Sequence, residues 1–169
     1  MQKQSPFHSG EQAFQNALGV REKMEKFGQK VIRPYMPDQH RDFYRQLPFV
    51  FVGHSDKEAW PWASILFNKP GFIESETNKS LNIKATPITG DPLEQSLRTG
   101  LPLALLGLEF HSRRRNRATA HVISLSKQGI ERNINQSFGN CPKYINSHDM
   151  NFDYSQQKAV EIQEIEEFD

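Results

Sequence analysis

The stretch Leu101-Pro102-Leu103-Ala104-Leu105-Leu106-Gly107-Leu108-Glu109-Phe110 holds the longest apolar run in the chain, and the fold class turns on how it pairs with its neighbours. Its apolar density predicts a strand buried on both faces. Residues 115–125 then alternate well enough for a long strand, 126–129 read as a hairpin turn, and 130–137 as the returning strand. Upstream, 49–52 is a β-rich run ending at Gly53, 54–58 a polar turn, and 60–67 a strand closed by Asn68-Lys69-Pro70-Gly71. Residues 72–73 and 81–85 are shorter strands. Asp91-Pro92 sets an N-cap before a proline at the first helical position, which predicts a short helix over 92–98.

Residues 1–47 carry a helical period instead. Ser9 and Gln12 have capping-box spacing, so a helix starts near Gly10, with Phe14, Ala17 and Leu18 on one face. Gly19 interrupts it. Val20, Met24 and Phe27 continue to Gly28, which reads as a C-terminal stop. Pro37-Asp38 opens a third helix with Phe43 and Leu47 inward. The expected architecture is mainly β with helices: a small antiparallel β-barrel over 48–146, a helical prefix over 1–47 packed on it, and an acidic tail over 147–169, all in one domain.

Composition narrows the function classes. The chain has 169 residues and a formal net charge of +1, so no global field calls for nucleic acid or a membrane surface. The apolar run over 101–108 is far too short to span a bilayer. The single cysteine, Cys141, excludes an internal disulfide and fits a reducing, cytoplasmic compartment. Met1 opens no signal-peptide pattern. There is no Gly-x-Gly-x-x-Gly, no Walker loop and no HExxH, which argues against a Rossmann domain, a P-loop enzyme and a zincin. His8, His111 and His121 show no metal spacing, and no catalytic acid or base is legible.

Local chemistry is concentrated in four places. Residues 113–117 hold four arginines in five positions. They fit a solvated strand edge or a face that meets phosphate or a polar ring edge with forked donors. Alternation sends Arg113, Arg115 and Arg117 to one side, Arg114 and Asn116 to the other. Trp60-Pro61-Trp62-Ala63-Ser64 pairs tryptophans, usual in cores and interfaces, with residues small enough for a flat ring to lie on the strand. Thr77-Asn78-Lys79-Ser80 is either a polar loop or a phosphate cradle with Lys79 as point charge. The run from Gln136 to Tyr144 places amide, hydroxyl and thiol groups close together.

The order of Trp62-Ala63-Ser64, Pro70-Gly71-Phe72, Gly107, residues 113–117 and Gln136-Ser137-Phe138-Gly139-Asn140-Cys141-Pro142-Lys143-Tyr144 resembles the flavin-nucleotide-binding proteins related to pyridoxamine 5′-phosphate oxidase. Phe7-His8-Ser9-Gly10-Glu11 and Met36-Pro37-Asp38-Gln39-His40 look like the same branch, and the resemblance runs from about residue 5 to 146. It implies a split β-barrel homodimer with FMN at the subunit interface. It also implies that Trp62, Ala63, Ser64 and Ile65 run beside the flavin, and that Asn78, Lys79 and Ser80 approach its phosphate. Arg114, Arg115 and Asn116 would face the ring edge, with Gln136 and Ser137 contributing from a later strand.

The oxidases carry a basic residue at the position of Ser64 and arginine at that of Asn78, and they have a C-terminal contact segment where this chain turns acidic. The expectation is therefore an FMN-dependent oxidoreductase of unknown substrate, served by a redox partner or reductase. A non-enzymatic flavin carrier is the alternative, followed by a small-barrel nucleic-acid binder using residues 113–117.

Overall fold

The structure is a computed structural model and describes residues 4–126 and 129–151. Three helices come first: α1 (Ser9–Ala17), α2 (Arg21–Val31) and α3 (Asp38–Gln46). They are followed by β1 (Phe49–Ser55), β2 (Pro61–Phe67), β3 (Ile73–Glu74), β4 (Ser80–Ile83) and α4 (Pro92–Ser96). The chain then forms β5 (Pro102–Glu109), β6 (Arg114–Ser126) and β7 (Gly129–Gly139). The strands make one seven-stranded antiparallel sheet in the order β2-β1-β5-β6-β7-β4-β3. The class is mainly β with helices, as the alternation predicts. Residues 127–128 of the expected hairpin turn lie outside the described residues, as does the tail from 152 onward.

The sheet curls. Leu66 of β2, Ile73 of β3 and Ile83 of β4 share one core with Val50, Val52, Leu103 and Leu105 from the middle strands. A flat sheet cannot bring both of its edges into one cluster. The Asn68 side chain donates to the Lys84 carbonyl at 3.0 Å, tying the end of β2 to the end of β4. Two register shifts in the β6–β7 ladder, at Thr119/Ala120 and Val122/Ser124, supply local bending.

Helix α3 sets the inner side. Phe43, Tyr44 and Leu47 are all buried. They meet β5 at Gly107, where a Cβ would lie 2.6 Å from Phe43 Cε1 and 2.8 Å from Leu47 Cδ1. Only a residue without a side chain admits the helix there. The Tyr44 hydroxyl donates to the Asn116 carbonyl at 3.1 Å, fixing α3 to β6 as well.

Three sequence expectations need correction. Strand β5 is covered on one face only: Leu103, Leu105 and Gly107 are buried, while Pro102 and Ala104 are exposed, because helix packing covers the inner side alone. The cap of α1 is His8 rather than Ser9. Its Nδ1 accepts from the N–H groups of Gly10 and Glu11, and the Glu11 carboxylate accepts from the His8 N–H. The face that Phe14 and Leu18 share, as expected, is the outward one, because α1 turns Gln15 inward to accept from Arg21 at 3.0 Å. Gly28 lies inside α2, buried against Phe7, and the helix stops before Pro34, whose predecessor is disfavoured in helical geometry.

One core residue stands apart. Arg132 on β7 is fully buried, and its Nε and both terminal nitrogens have no hydrogen-bond partner among the described residues. Burial alone pulls its guanidinium below the ordinary value. An unpaired buried charge is destabilising, and exchanging it for an apolar side chain of similar length relieves the cost. Arg132→Met is therefore expected to raise unfolding free energy by about 1–3 kcal/mol in urea titration. A loss of more than about 1 kcal/mol would mean that the guanidinium is partnered.

Candidate functional site

Strand β1 keeps its alternation past Gly53. The expected turn over 54–58 starts later, because an extended glycine does not stop a strand whose partner β2 continues to Pro61. His54 consequently shares the inner side with Val50 and Val52 and is only 6% exposed. Its Nε2 lies 3.3 Å from Ser64 Oγ on β2. Ser64 donates to Asp91 Oδ1 at 2.5 Å, and the same oxygen caps α4 by accepting from the Leu93 N–H at 2.8 Å. His54 Nδ1 is buried and has no partner among the described residues.

A cleft of about 1280 Å³ opens beside this chain of contacts, between the N-terminal segment and strands β1, β5, β6 and β7. It is larger than the roughly 300–1,000 Å³ usual for small-molecule sites. Gly53, Ala104 and Thr119 give it small side chains, and Trp62 and Tyr35 give it aromatic ones. The Trp62 indole is held in place: its Nε1 donates to Asp56 Oδ2 at 2.7 Å, while Asp56 Oδ1 accepts from the Trp60 N–H at 2.8 Å. These bonds, that from Trp62 foremost, hold the Asp56 carboxyl below its ordinary range. Arg98 also lines the cleft, as do His121 and Asn135, joined by a 2.6 Å contact between His121 Nδ1 and Asn135 Oδ1.

The residues expected to bind a ligand divide between this cleft and the opposite side of the sheet. Trp62 and Gln136 line the cleft, and the Gln136 side chain donates to the Pro6 carbonyl at 3.1 Å. Ser64 stands behind His54. Ala63 and Ile65 lie on the other face of β2, Ala63 opposite Gly53, which lines the cleft, and Ile65 opposite Phe51.

The Thr77–Ser80 turn borders the cleft one residue away. The N–H of Met36, next to Tyr35, donates to the Asn78 carbonyl at 2.8 Å, and that of Ile134, next to Asn135, to the Lys79 carbonyl at 2.7 Å. Lys79 is exposed, and the Ser80 hydroxyl is closed onto Thr77.

Arg114, Asn116 and Ser137 lie on the α3 side, and Arg115 on the other face. Arg114 lies 4.8 Å over the Phe43 ring, Arg115 donates to the Cys141 carbonyl at 3.1 Å, and Asn116 is buried. Ser137 is fully buried, 2.7 Å from His40 Nδ1. Alternation thus splits the Gln136-Ser137 pair between two faces. It also separates Arg114 and Asn116 from Arg115 and Arg117, as expected, whereas Arg113 sits in the preceding turn with φ 55°. The four arginines do not form one continuous basic strip.

Sequence reasoning missed His54, Asp56, Tyr35, Arg98 and Asn135 as cleft residues. For His54 a signal existed: the period of two through Val50 and Val52 reaches it.

No protein-family model matches the chain. No curated protein matches it either. Among solved structures, a histidine-to-alanine variant of HupZ from Group A Streptococcus is similar at 8% identity, covering 62% of this chain and 99% of its own, with a TM-score of 0.47. A likeness that loose carries no residue correspondence. No helix of the described residues is long and apolar enough to cross a membrane.

The burial of His40 makes stability depend on pH. Burial, and then the charges of Arg33 and Arg114, lower the His40 pKa below its ordinary 6.5. The unfolded chain therefore takes up the proton first as pH falls. The contribution is complete above pH 6.5 and is lost as pH falls through 6.5 toward the folded value. Urea titrations at several pH values are expected to show a smaller drop for His40→Gln than for the parent chain across this window. An equal drop would contradict a neutral, buried His40.

Proposed function

We propose that the chain is an FMN-binding flavoprotein of the pyridoxamine 5′-phosphate oxidase-related kind, acting as an oxidoreductase. It works as a homodimer with the flavin at the subunit interface. The observation that carries this reading is the cleft, whose side chains match the parts of a flavin nucleotide. Small residues leave room for a flat ring, Trp62 and Tyr35 offer aromatic contact, and Gln136 and Asn135 offer amide groups to ring edges. Lys79, in the turn bordering the cleft, supplies a point charge for the phosphate.

Bound FMN would supply the electron transfer, and the protein the position and surrounding charge. Arg114 and Arg115, both only partly buried, enter the proposal across the interface, whereas Asn116 and Ser137 are buried in their own chain and act on the site only by packing. The helical prefix supports a dimer. Its polar groups are turned inward, where Arg21 meets Glu25 at 2.6 Å, and Phe14, Leu18 and Phe27 are left exposed. Apolar side chains so placed mark a contact surface.

Purified protein is expected to quench added FMN fluorescence with one site per subunit, and light scattering to give twice the chain mass. A colourless protein that leaves micromolar FMN unquenched would contradict the reading, as monomer mass would contradict the shared site. Reduction of the bound flavin by NAD(P)H, with turnover on an acceptor, separates an oxidoreductase from a carrier.

The phosphate assignment has its own check. Lys79→Ala removes a charge-assisted contact and is expected to weaken FMN about ten- to a hundredfold. Riboflavin, which has no phosphate, is expected to be little affected. Equal loss for both ligands would place the phosphate elsewhere.

A further inference from the structure

We infer that Arg98 is the anion-recognising residue of the cleft, and that the molecule meeting the flavin ring there carries a carboxylate or a phosphate. The inference rests on the flavin reading for the place of the ring and adds the class of substrate. It starts from the charges that line the cleft. Among the described residues these are one carboxylate, Asp56, and one permanent cation, Arg98. Both Asp56 oxygens are taken, Oδ1 by the Trp60 N–H and Oδ2 by the Trp62 indole. The Arg98 guanidinium is mostly unspent. It is exposed, its Nη1 donates to the Ser96 carbonyl at 3.0 Å, and it forms no ion pair among the described residues. One N–H of the fork is used, and the others are open to a ligand.

The side chain stands on a fixed base. The Leu101 N–H donates to the Arg98 carbonyl at 3.1 Å, closing a tight turn that needs Gly100 at φ 84°. The Gly100 N–H donates to the Val122 carbonyl at 2.8 Å, and the Val122 N–H to the Leu101 carbonyl at 3.0 Å. These bonds tie the turn to β6 beside His121. Helix α4, capped by Asp91, leads into the turn from the other side. A planar guanidinium on such a base suits the paired oxygens of a carboxylate or phosphate.

Position separates this cation from the one assigned to the flavin phosphate. Lys79 precedes β4 and is bonded to β7, whereas Arg98 precedes β5. In the strand order β5-β6-β7-β4 they stand three spacings apart, about 14 Å along the sheet. With the phosphate at Lys79, the ring end of the flavin lies toward Arg98. The cleft, at about 1280 Å³, exceeds the roughly 300–1,000 Å³ of one small-molecule site and leaves room for a second molecule at that end. An open arginine there favours a molecule that brings its own acid group.

The test titrates the protein with inorganic phosphate and with succinate, against chloride at constant ionic strength. Tryptophan fluorescence reports on the flavin-free protein and bound-flavin absorbance on the FMN-loaded one. At least one of the two anions is expected to saturate the signal where chloride does not, and the arm that responds tells phosphate from carboxylate. Arg98→Gln is expected to weaken that anion about ten- to a hundredfold while FMN affinity stays near the parent's. Arg98→Lys, which keeps the charge without the fork, is expected to fall between them. Saturation by neither anion overturns the inference, as does equal anion affinity in Arg98→Gln. It is also overturned if Arg98→Gln weakens FMN as Lys79→Ala is expected to while sparing riboflavin, because Arg98 would then hold the flavin phosphate. If the parent binds no FMN but loses its anion with Arg98→Gln, the flavin reading falls and the anion contact stands. If FMN binds and neither anion does, only the role of Arg98 falls.

Discussion

Gly107 is the point on which the arrangement turns. Without a side chain it lets α3 press Phe43, Tyr44 and Leu47 onto β5, and that contact assigns the two faces of the sheet. The inner side near α3 becomes a dry core, in which the curled sheet brings its own edges together. The cleft opens past the end of β1 and the start of β2, against the N-terminal segment. A methyl group at this glycine would push the helix away from the strand, loosen the bond from Tyr44 to Asn116, and blur the division between packed and open ends.

Buried polar groups differ in how they are met, and Asn116 Nδ2, on the α3 side, has no partner among the described residues. Near α3, His40 and Ser137 satisfy each other, and their contact is part of the packing. Beside the cleft, His54, Ser64 and Asp91 satisfy all but one atom. Arg132 differs from both: it is outside the cleft lining and has no partner among the described residues, so it reads as a cost carried by the core.

Much of the fold was legible. Alternation located β2 and the β6–β7 hairpin, Asp91-Pro92 marked the start of α4, and Pro37 preceded a helix with Phe43 and Leu47 inward. The errors share a physical source. Gly53 and Gly28 were read as punctuation, yet one is in a strand opposite Ala104 and the other is a close-packing site under Phe7. Local propensity cannot report a close approach made by a distant segment. Phe14 and Leu18 share a face, as periodicity indicated, but periodicity does not say whether that stripe faces the protein, and it faces outward. The candidate site was legible in composition and only partly in place. Trp62 and Gln136 reach the cleft and Lys79 borders it, whereas Arg114 is held over Phe43 by a register that sequence spacing does not reveal.

The most direct measurement is hydrogen–deuterium exchange of the protein with and without FMN, because it reports where the ligand sits. The account predicts slower exchange in 53–56, around Trp62, in 98–104, at 119–121 and 134–136, and in the turn at 77–80. It would be contradicted by protection confined to other segments, or by no protection at FMN concentrations that saturate the fluorescence change.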